Sequence, residues 1–181
     1  AVTFTDLANP VDIKIKSAPN DTEVNFNPTA LSGASDAITL TLAGTNASTL
    51  VLTDDTVLAS STLESLTIDS IGVANTLDAL TTANVNIPAL TVTGSTKLTI
   101  TGALDASIVS VNASANTGGL ELSAAPAAPA ALSITGSTKA DTLTAIGAGT
   151  TTLSMGAGND TADFDGNWTA KDTYDGGDGT D

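Results

Sequence analysis

Cysteine, histidine, arginine and glutamine are all missing from this chain of 181 residues. Without cysteine there can be no disulfide framework and no thiolate metal site. Without histidine the chain lacks the usual zinc ligand and the commonest general base. Five lysines are the only cationic side chains, which is too few to hold a phosphate backbone. These absences argue against a zinc protein, a nucleic-acid-binding protein and an enzyme with a histidine base.

Long apolar runs and aromatic rings are also scarce. No run approaches the roughly 18 apolar residues that a membrane-spanning helix needs, so no membrane span is predicted. Aromatic residues make up 3% of the chain, fewer than the core of a β-sandwich of this size usually holds. A solenoid does not need large rings, because its stacked coils bury ladders of leucine, valine, isoleucine and alanine.

Negative charge is what the chain has in excess. Twenty acidic residues against five lysines give a formal net charge of −15 at pH 7. A surface this acidic suits the binding of cations, or solubility where calcium is abundant.

Short apolar doublets with one polar residue between their members recur from Ile38 onward. Most neighbouring doublets are about 8–13 residues apart, which is typical of the strands of β-solenoids. The residues between them are mostly Gly, Asn, Asp, Ser and Thr, which form turns. The doublets are Ile38/Leu40/Leu42, Leu50/Leu52, Leu66/Ile68, Val85/Ile87, Leu90/Val92, Leu98/Ile100, Val109/Val111, Leu120/Leu122, Leu132/Ile134 and Leu153/Met155.

Three stretches depart from this rhythm. In residues 1–27, the alternation at 11–16 predicts a half-buried strand, and residues 24–26 form either the returning strand of a hairpin or part of a first coil. Residues 56–65 and 75–83 are polar enough to hold a short helix or a looped-out coil. The pair Asp54-Asp55 is expected to form a turn.

One internal repeat supports a coiled architecture. The segment LTVTGSTK at residues 90–97 recurs as LSITGSTK at residues 132–139, an offset of 42 residues. At roughly 20 residues for a coil of two strands, this offset corresponds to about two coils. The second copy continues as a degenerate nine-residue unit at residues 136–144, so the two kinds of repeat form one solenoid.

Nine-residue units organise the C-terminal part of the chain. Residues 146–154 (IGAGTTTLS) and 155–163 (MGAGNDTAD) lie back to back, and the chain closes on GGDGTD at residues 176–181. This is the G-G-x-G-x-D-x-U-x pattern of calcium-binding parallel β-rolls. Glycine permits the tight turn, and backbone carbonyls and the aspartate supply hard oxygen ligands. Because calcium takes six to eight oxygens, two stacked turns are expected to share each ion.

The pattern identifies a set of candidate calcium ligands. Asp141 keeps the aspartate position but lacks its neighbouring glycines, so it is either a ligand or a turn former. Alternate units lie on the same side of a β-roll, so Asp141 and Asp160 should share one edge. Thr151 replaces the aspartate of its unit, which is therefore expected to bind no ion tightly. The candidates are the carboxylates of Asp160, Asp181 and Asp141 and the carbonyls of Gly156, Gly158, Gly177 and Gly179.

Residues 164–175 interrupt the nine-residue register and carry the only tryptophan, Trp168. Trp168 is expected to pack into the core, the alternative being a loop over the roll or against a neighbouring subunit. Asp178, together with the acidic residues in and beside this segment, is expected to be solvated. Those residues are Asp163, Asp165, Asp172 and Asp175.

The nine-residue units resemble the RTX family of secreted bacterial proteins. They cover about the last 45 residues, including the interruption. Together with the Thr-, Ala- and Asn-rich body, the segment VNASANTGGL at residues 111–120 and the two TGSTK segments, they resemble the RTX-containing surface-layer proteins of Gram-negative bacteria. The resemblance implies type I secretion, calcium-dependent folding and self-association into a two-dimensional lattice at the cell surface (an S-layer). A lipopolysaccharide-anchoring domain and a secretion signal would lie outside these residues.

The predicted fold is all-β, a right-handed parallel β-solenoid (β-helix) running into a calcium-binding RTX β-roll. Residues 1–27 form an N-terminal β segment, residues 28–135 a metal-poor solenoid and residues 136–181 the calcium-binding roll. Because the pattern starts and stops within a repeat, we expect a fragment of a longer protein.

The leading functional hypothesis is a structural segment of a secreted surface-layer protein. The first alternative is a stalk or ligand-binding segment of a large RTX adhesin. The second is the RTX tail of a secreted enzyme whose catalytic domain lies elsewhere. The chain itself is expected to be non-catalytic, because it lacks the H-E-x-x-H and G-x-S-x-G motifs.

Overall fold

The computed structural model describes residues 2–16, 21–27, 29–46, 48–54, 61–124, 131–144 and 149–181. These residues form eighteen β-strands and no helix. The strands are β1 (Val2–Leu7), β2 (Ile13–Lys16), β3 (Thr22–Phe26), β4 (Ala37–Ala43), β5 (Ser48–Asp54), β6 (Ser61–Thr62), β7 (Ser65–Ile71), β8 (Asn75–Ala83), β9 (Val85–Asn86), β10 (Ala89–Gly94), β11 (Leu98–Ala103), β12 (Ser110–Asn116), β13 (Leu120–Ala124), β14 (Ala131–Thr135), β15 (Thr142–Leu143), β16 (Thr150–Ser154), β17 (Thr161–Ala162) and β18 (Thr173–Asp175).

The strands form two long parallel sheets. Sheet A has the order β1-β3-β5-β8-β11-β13-β15-β17, and sheet B has the order β2-β4-β7-β10-β12-β14-β16-β18. The chain crosses from one sheet to the other and back, so each coil adds a strand to both. Strands β6 and β9, in the connections from sheet A to sheet B, pair in a small parallel sheet of their own. The prediction of an all-β parallel solenoid is confirmed.

The core is a set of ladders made by the apolar doublets. Leu40, Ile68 and Val92 are paired in register on successive strands of sheet B, and all three are fully buried. Burial of each such side chain contributes about 1.5–3 kcal/mol relative to its exposure. Among the predicted doublets Val109 is the exception, because it precedes β12 and is 44% exposed.

The N-terminal strands belong to the first coils of the solenoid. Strand β1 pairs with β3 and β2 pairs with β4, in both cases parallel. A hairpin would require antiparallel strands, so the hairpin alternative is wrong and the first-coil alternative is correct. The boundary placed after residue 27 therefore coincides with no break in either sheet.

Two other segments differ from their predictions. Residues 75–83 are strand β8 rather than a helix or a looped-out coil, with Leu77 and Leu80 in the core. Of residues 56–65, Ser61–Thr62 is strand β6, Ser65 begins β7, and residues 56–60 lie outside the described residues. Asp54 ends strand β5 with a buried side chain, and Asp55 lies outside the described residues.

The spacing of the coils agrees with the internal repeat. Strands β10 and β14, which carry its two copies, lie on either side of β12, so they are two coils apart as predicted. Near the C-terminus, Tyr174 of β18 pairs with Leu153 of β16. The solenoid therefore resumes within residues 164–175, and the prediction that this whole segment interrupts the register is wrong.

Candidate functional site

The last two connections from sheet B to sheet A and the segment that follows β18 are stacked upon one another. We call them the acidic corners: residues 136–141, 155–160 and 176–181. Backbone hydrogen bonds join them, from Ala157 N to Ser137 O (3.2 Å), from Gly158 N to Asp178 O (2.8 Å) and from Asp178 N to Gly156 O (2.9 Å). Gly156 O, a candidate calcium ligand, is thus already used as an acceptor between corners.

Glycine makes this stacking possible. Gly156 and Gly177 have φ values of 95° and 85°, in the left-handed region that other residues avoid. A Cβ atom on Gly177 would also overlap Gly156 O in the corner before it. The pattern Gly-x-Gly therefore serves the close approach of the corners as well as the turn. Gly158 and Gly179, at the second glycine position, also have positive φ.

The three aspartates at position 6 form what we call the carboxylate column: Asp141, Asp160 and Asp181. Asp141 N donates to Asp160 Oδ1 at 2.8 Å, and Asp160 N donates to Asp181 Oδ1 at 2.9 Å. Each carboxylate thus accepts a hydrogen bond from the coil before it. The prediction that Asp141 and Asp160 share one edge is confirmed, and Asp181 continues that edge.

Both carboxylate oxygens of Asp141 accept hydrogen bonds. Its Oδ1 accepts from Leu120 N (2.6 Å) and Ser137 Oγ (2.8 Å), and its Oδ2 accepts from Ser137 N (2.6 Å). Of the two roles left open for this residue, these contacts show the turn-forming one. Its role as a calcium ligand stays a prediction.

Asp160 is different, because one of its oxygens is unused. Its side chain is 4% exposed, and Oδ2 is buried with no hydrogen-bond partner among the described residues. Burial raises the pKa of this carboxyl. The hydrogen bond from Asp141 N lowers the pKa, while the negative charges of Asp141 and Asp181 raise it further. The net result is a raised pKa, the mark of a carboxylate that lacks a positive partner.

The oxygen atoms at this site supply some of the ligands that a hard cation requires. Asp160 Oδ2 is a free carboxylate oxygen and Asp181 is exposed, so these two carboxylates could hold calcium together with backbone carbonyls of the glycine turns. In the described part of the chain, no three acidic side chains are grouped closely enough to hold a metal ion by themselves. Carbonyl oxygens would therefore have to supply much of the coordination.

Asp172, predicted to belong to a solvated acidic face, instead has a structural role. It is buried, with Oδ1 accepting from Thr151 N (2.7 Å) and Oδ2 from Thr169 N (2.5 Å). The hydrogen bonds from Thr151 and Thr169 lower its pKa, against the effect of desolvation. The solvated prediction is correct for the exposed Asp163, Asp165, Asp175 and Asp178 but wrong for Asp172.

The sequence contains a pattern from which the structural position of Asp172 could have been predicted. Residues 167–175 read as a nine-residue unit with aspartate at position 6 and Tyr174 at position 8, opposite the buried Leu153. The unit lacks both glycines, which is why it read as an interruption. The spacing of 21 residues between Thr151 and Asp172, which is also the spacing between Asp160 and Asp181, reveals it.

An open cavity of about 410 Å³ adjoins the carboxylate column at the last coil. Asp160 and Asp181 line it together with Phe164, Trp168 and Tyr174, three of the five aromatic residues of the chain. Phe164 and Trp168 pack edge to face, with ring centroids 4.6 Å apart. Trp168 remains 50% exposed, so the prediction that it packs into the core is wrong. Its fluorescence should instead report on the column beside it.

Fold and site together define a parallel β-solenoid whose C-terminal corners stack aspartates. Comparison with models of protein families, with curated proteins and with solved structures finds no match to this chain. A membrane-spanning helix is likewise not found in the described part of the chain.

Proposed function

We propose that this chain is a structural segment of a secreted bacterial surface-layer protein, rigidified by calcium and assembled into a lattice at the cell surface. The observation that carries the proposal is the carboxylate column, with the buried and unpartnered Oδ2 of Asp160 at its centre. The resemblance to RTX-containing surface-layer proteins supports the secreted location and the self-association.

Calcium would act on the column by compensating charge. Asp160 is desolvated and lies between Asp141 and Asp181, so its ionised form is unfavourable without a cation. A divalent ion held by Asp160, Asp181 and carbonyls of the glycine turns would remove this penalty and would fix turns that are otherwise costly to order. Gly156, Gly158, Gly177 and Gly179 are the carbonyl donors that we propose. Folding of this end then follows binding.

The affinity should be that of an extracellular site. Calcium modules outside the cell bind with dissociation constants of about 10⁻⁴–10⁻³ M, so the site would be filled only where calcium is abundant. The net charge of −15 also keeps copies apart by repulsion until cations screen or bridge them. Calcium would in this way couple the rigidity of one copy to its assembly with others.

The metal part of this proposal is tested by substituting Asp160. In wild type, calcium should raise the thermal unfolding midpoint of the C-terminal coils and change Trp168 fluorescence, relative to a chelator. D160N removes the buried charge but keeps an acceptor for Asp141 N, so it should lose most of this calcium response. D178N is the matched control, because Asp178 lies in an acidic corner with an exposed side chain and should leave the response intact.

Two results would contradict the metal part. One is a wild-type midpoint and Trp168 fluorescence that are the same in calcium and in chelator. The other is a calcium response that D160N and D178N retain equally. Magnesium serves as the control for ionic strength, because its smaller ion demands a stricter octahedral geometry.

The assembly part is tested by electron microscopy of the chain in calcium and in chelator. Ordered two-dimensional sheets that dissolve on chelation support a surface-layer segment. Separate rods at every concentration contradict self-association and favour the stalk of an adhesin. Hydrolytic activity of the longer protein that is absent from this chain alone would favour the third hypothesis, the tail of an enzyme.

A further inference from the structure

Asn75 occupies the same column as the acidic carboxylates, in coils without the nine-residue pattern. It is paired in register with Leu98, and Leu98 with Leu120, whose N–H donates to Asp141. Asn75 is fully buried, and its Oδ1 accepts from Gly44 N and Thr45 N, each at 2.8 Å. It therefore accepts hydrogen bonds from the coil before it, as Asp141 and Asp160 do.

The amide nitrogen of Asn75 lies in a cage of oxygens. Because two N–H groups point at Oδ1, the other end of the amide must be the nitrogen. This nitrogen carries two hydrogens, yet five oxygen atoms from three successive coils surround it. They are Ser70 Oγ (2.9 Å), Val73 O (3.0 Å), Leu42 O (3.2 Å), Ile71 O (3.3 Å) and Thr96 Oγ1 (3.4 Å).

Such a set of oxygens is what a cation site provides. Three backbone carbonyls and two hydroxyls are hard, uncharged ligands of the kind that calcium binds. Two hydrogens cannot satisfy five acceptors, but a positive centre interacts with all of them at once. The two positively polarised hydrogens on Asn75 Nδ2 supply this positive centre, at the middle of the five oxygens.

Asn116, at the entry to a later corner, is a second buried amide that bridges coils, with its oxygen bound within its own corner and its nitrogen bound to two carbonyls of the coil before. It is fully buried, and its Oδ1 accepts from Gly118 N and Gly119 N, each at 2.8 Å. Its Nδ2 donates to Thr93 O (2.9 Å) and Thr96 O (3.3 Å) of the preceding coil. The next buried side chain to bridge coils at these corners is Asp141, so the change from buried amide to buried carboxylate falls between Asn116 and Asp141.

We infer that the Asn75 cage is a cation-type site filled by the protein's own amide, and that Asn116 acts likewise. The residue that faces these oxygens then decides whether the coil requires an ion. Asparagine presents the positive hydrogens of its amide to them, whereas an aspartate in the same place would need a cation from solution. The inference rests on the proposed function in one respect, the identity of the ion as calcium.

The test converts the amide into a carboxylate. N75D replaces the central donor with an acceptor that faces five oxygens, so in chelator its unfolding midpoint should fall by about 5–10 °C. Calcium at about 5 mM, above the ~1 mM affinity of extracellular sites, should restore most of this loss. Equilibrium dialysis with radioactive calcium should show an additional bound ion. N112D is the matched control, because Asn112 is exposed on β12 and its oxygen already accepts from Ser114 N.

N116D provides a second measurement. Its midpoint should also fall more in chelator than in calcium, with a smaller rescue because fewer carbonyls face the site. If N75D and N116D lose the same stability in calcium as in chelator, or if N75D does not fold in either, the inference is overturned.

Wild type separates this inference from the proposed function. If calcium changes neither the unfolding midpoint nor the Trp168 fluorescence of wild type, the proposed function is contradicted, independently of the result for N75D. A wild type that responds to calcium, beside an N75D that gains no calcium dependence and no additional ion, defeats the inference alone.

Discussion

Two buried carboxylates at the same position of the nine-residue unit have opposite electrostatic roles. Asp160 is buried with a free oxygen and a raised pKa, whereas Asp172 is buried with both oxygens hydrogen-bonded and a lowered pKa. The first is unfavourable when ionised, and the second is favourable. Both occupy position 6 of a nine-residue unit, so position in the repeat alone does not determine the role.

The lowered pKa of Asp172 predicts a loss of stability in acid. An unfolded aspartate titrates near 3.9, so the contribution of Asp172 is present above about pH 4 and is lost as the pH falls through its lower folded value. In D172N one of the two backbone N–H donors would face the NH2 group of the new side chain, which cannot accept its hydrogen bond. The unfolding midpoint at pH 6 should therefore fall by several degrees. The difference between wild type and D172N should shrink at about pH 2.5.

The control for this prediction is D165N, since Asp165 is exposed and its backbone conformation suits asparagine. Unfolding midpoints measured in chelator keep calcium out of the comparison. A difference between wild type and D172N that is the same at both pH values would show that Asp172 does not act through its charge.

Glycine at the corners has two separable effects, and the chain offers a matched pair with which to separate them. Gly166 and Gly177 have φ values of 76° and 85°, but a Cβ meets nothing within 4 Å at Gly166 and overlaps Gly156 O at Gly177. Gly166→Ala should therefore cost about 1–2 kcal/mol from the backbone alone. Gly177→Ala should cost more and should also weaken the calcium response. Equal costs in urea unfolding would mean that the corners are not closely stacked.

At the scale of the element, most strands were predictable because every second residue points inward and is apolar. This worked for doublets such as Leu66/Ile68, both of which are fully buried. It failed at β8, where Leu77 and Leu80 both enter the core although they are three residues apart. A register shift against β5, which places Ser48 opposite Leu77 and Thr49 opposite Ala79, breaks the alternation. Periodicity cannot reveal a bulge whose position depends on the partner strand.

The carboxylate column was predictable in its members but not in its hydrogen bonding. The nine-residue pattern identified Asp160 and Asp181 and the shared edge with Asp141. The unused oxygen of Asp160 depends on which N–H groups of neighbouring coils reach each carboxylate, and no local pattern encodes that. The asparagines at 75 and 116 carry no motif at all and emerge only from the stacking of the coils.

The unpredicted strand β8 supplies the next test. Leu80 is fully buried, so Leu80→Ala should destabilise the protein by about 2–5 kcal/mol, including the cost of the cavity. Val73→Ala is the control, since Val73 is 63% exposed in the preceding corner and should change stability by less than about 0.5 kcal/mol. Urea unfolding followed by circular dichroism measures both. Similar small effects would mean that β8 does not contribute to the core.

The whole molecule is a solenoid whose central and C-terminal coils are stabilised differently. In a solenoid each coil contacts mainly its neighbours, so local stability can vary along the axis. In the central coils, the amides of Asn75 and Asn116 form the side-chain hydrogen bonds between adjacent coils. In the last coils, the carboxylates of Asp141, Asp160 and Asp181 form them. A cation should therefore affect one end of the solenoid and leave the rest unchanged.

Amide hydrogen exchange in calcium and in chelator tests this claim most directly, because it reports stability segment by segment. We predict that residues 155–160 and 176–181 are protected in calcium and exchange rapidly in chelator, while strands β4 to β12 exchange equally in both. Protection of residues 155–160 and 176–181 that does not change on chelation would contradict the account. Loss of protection along the entire solenoid would contradict it as well.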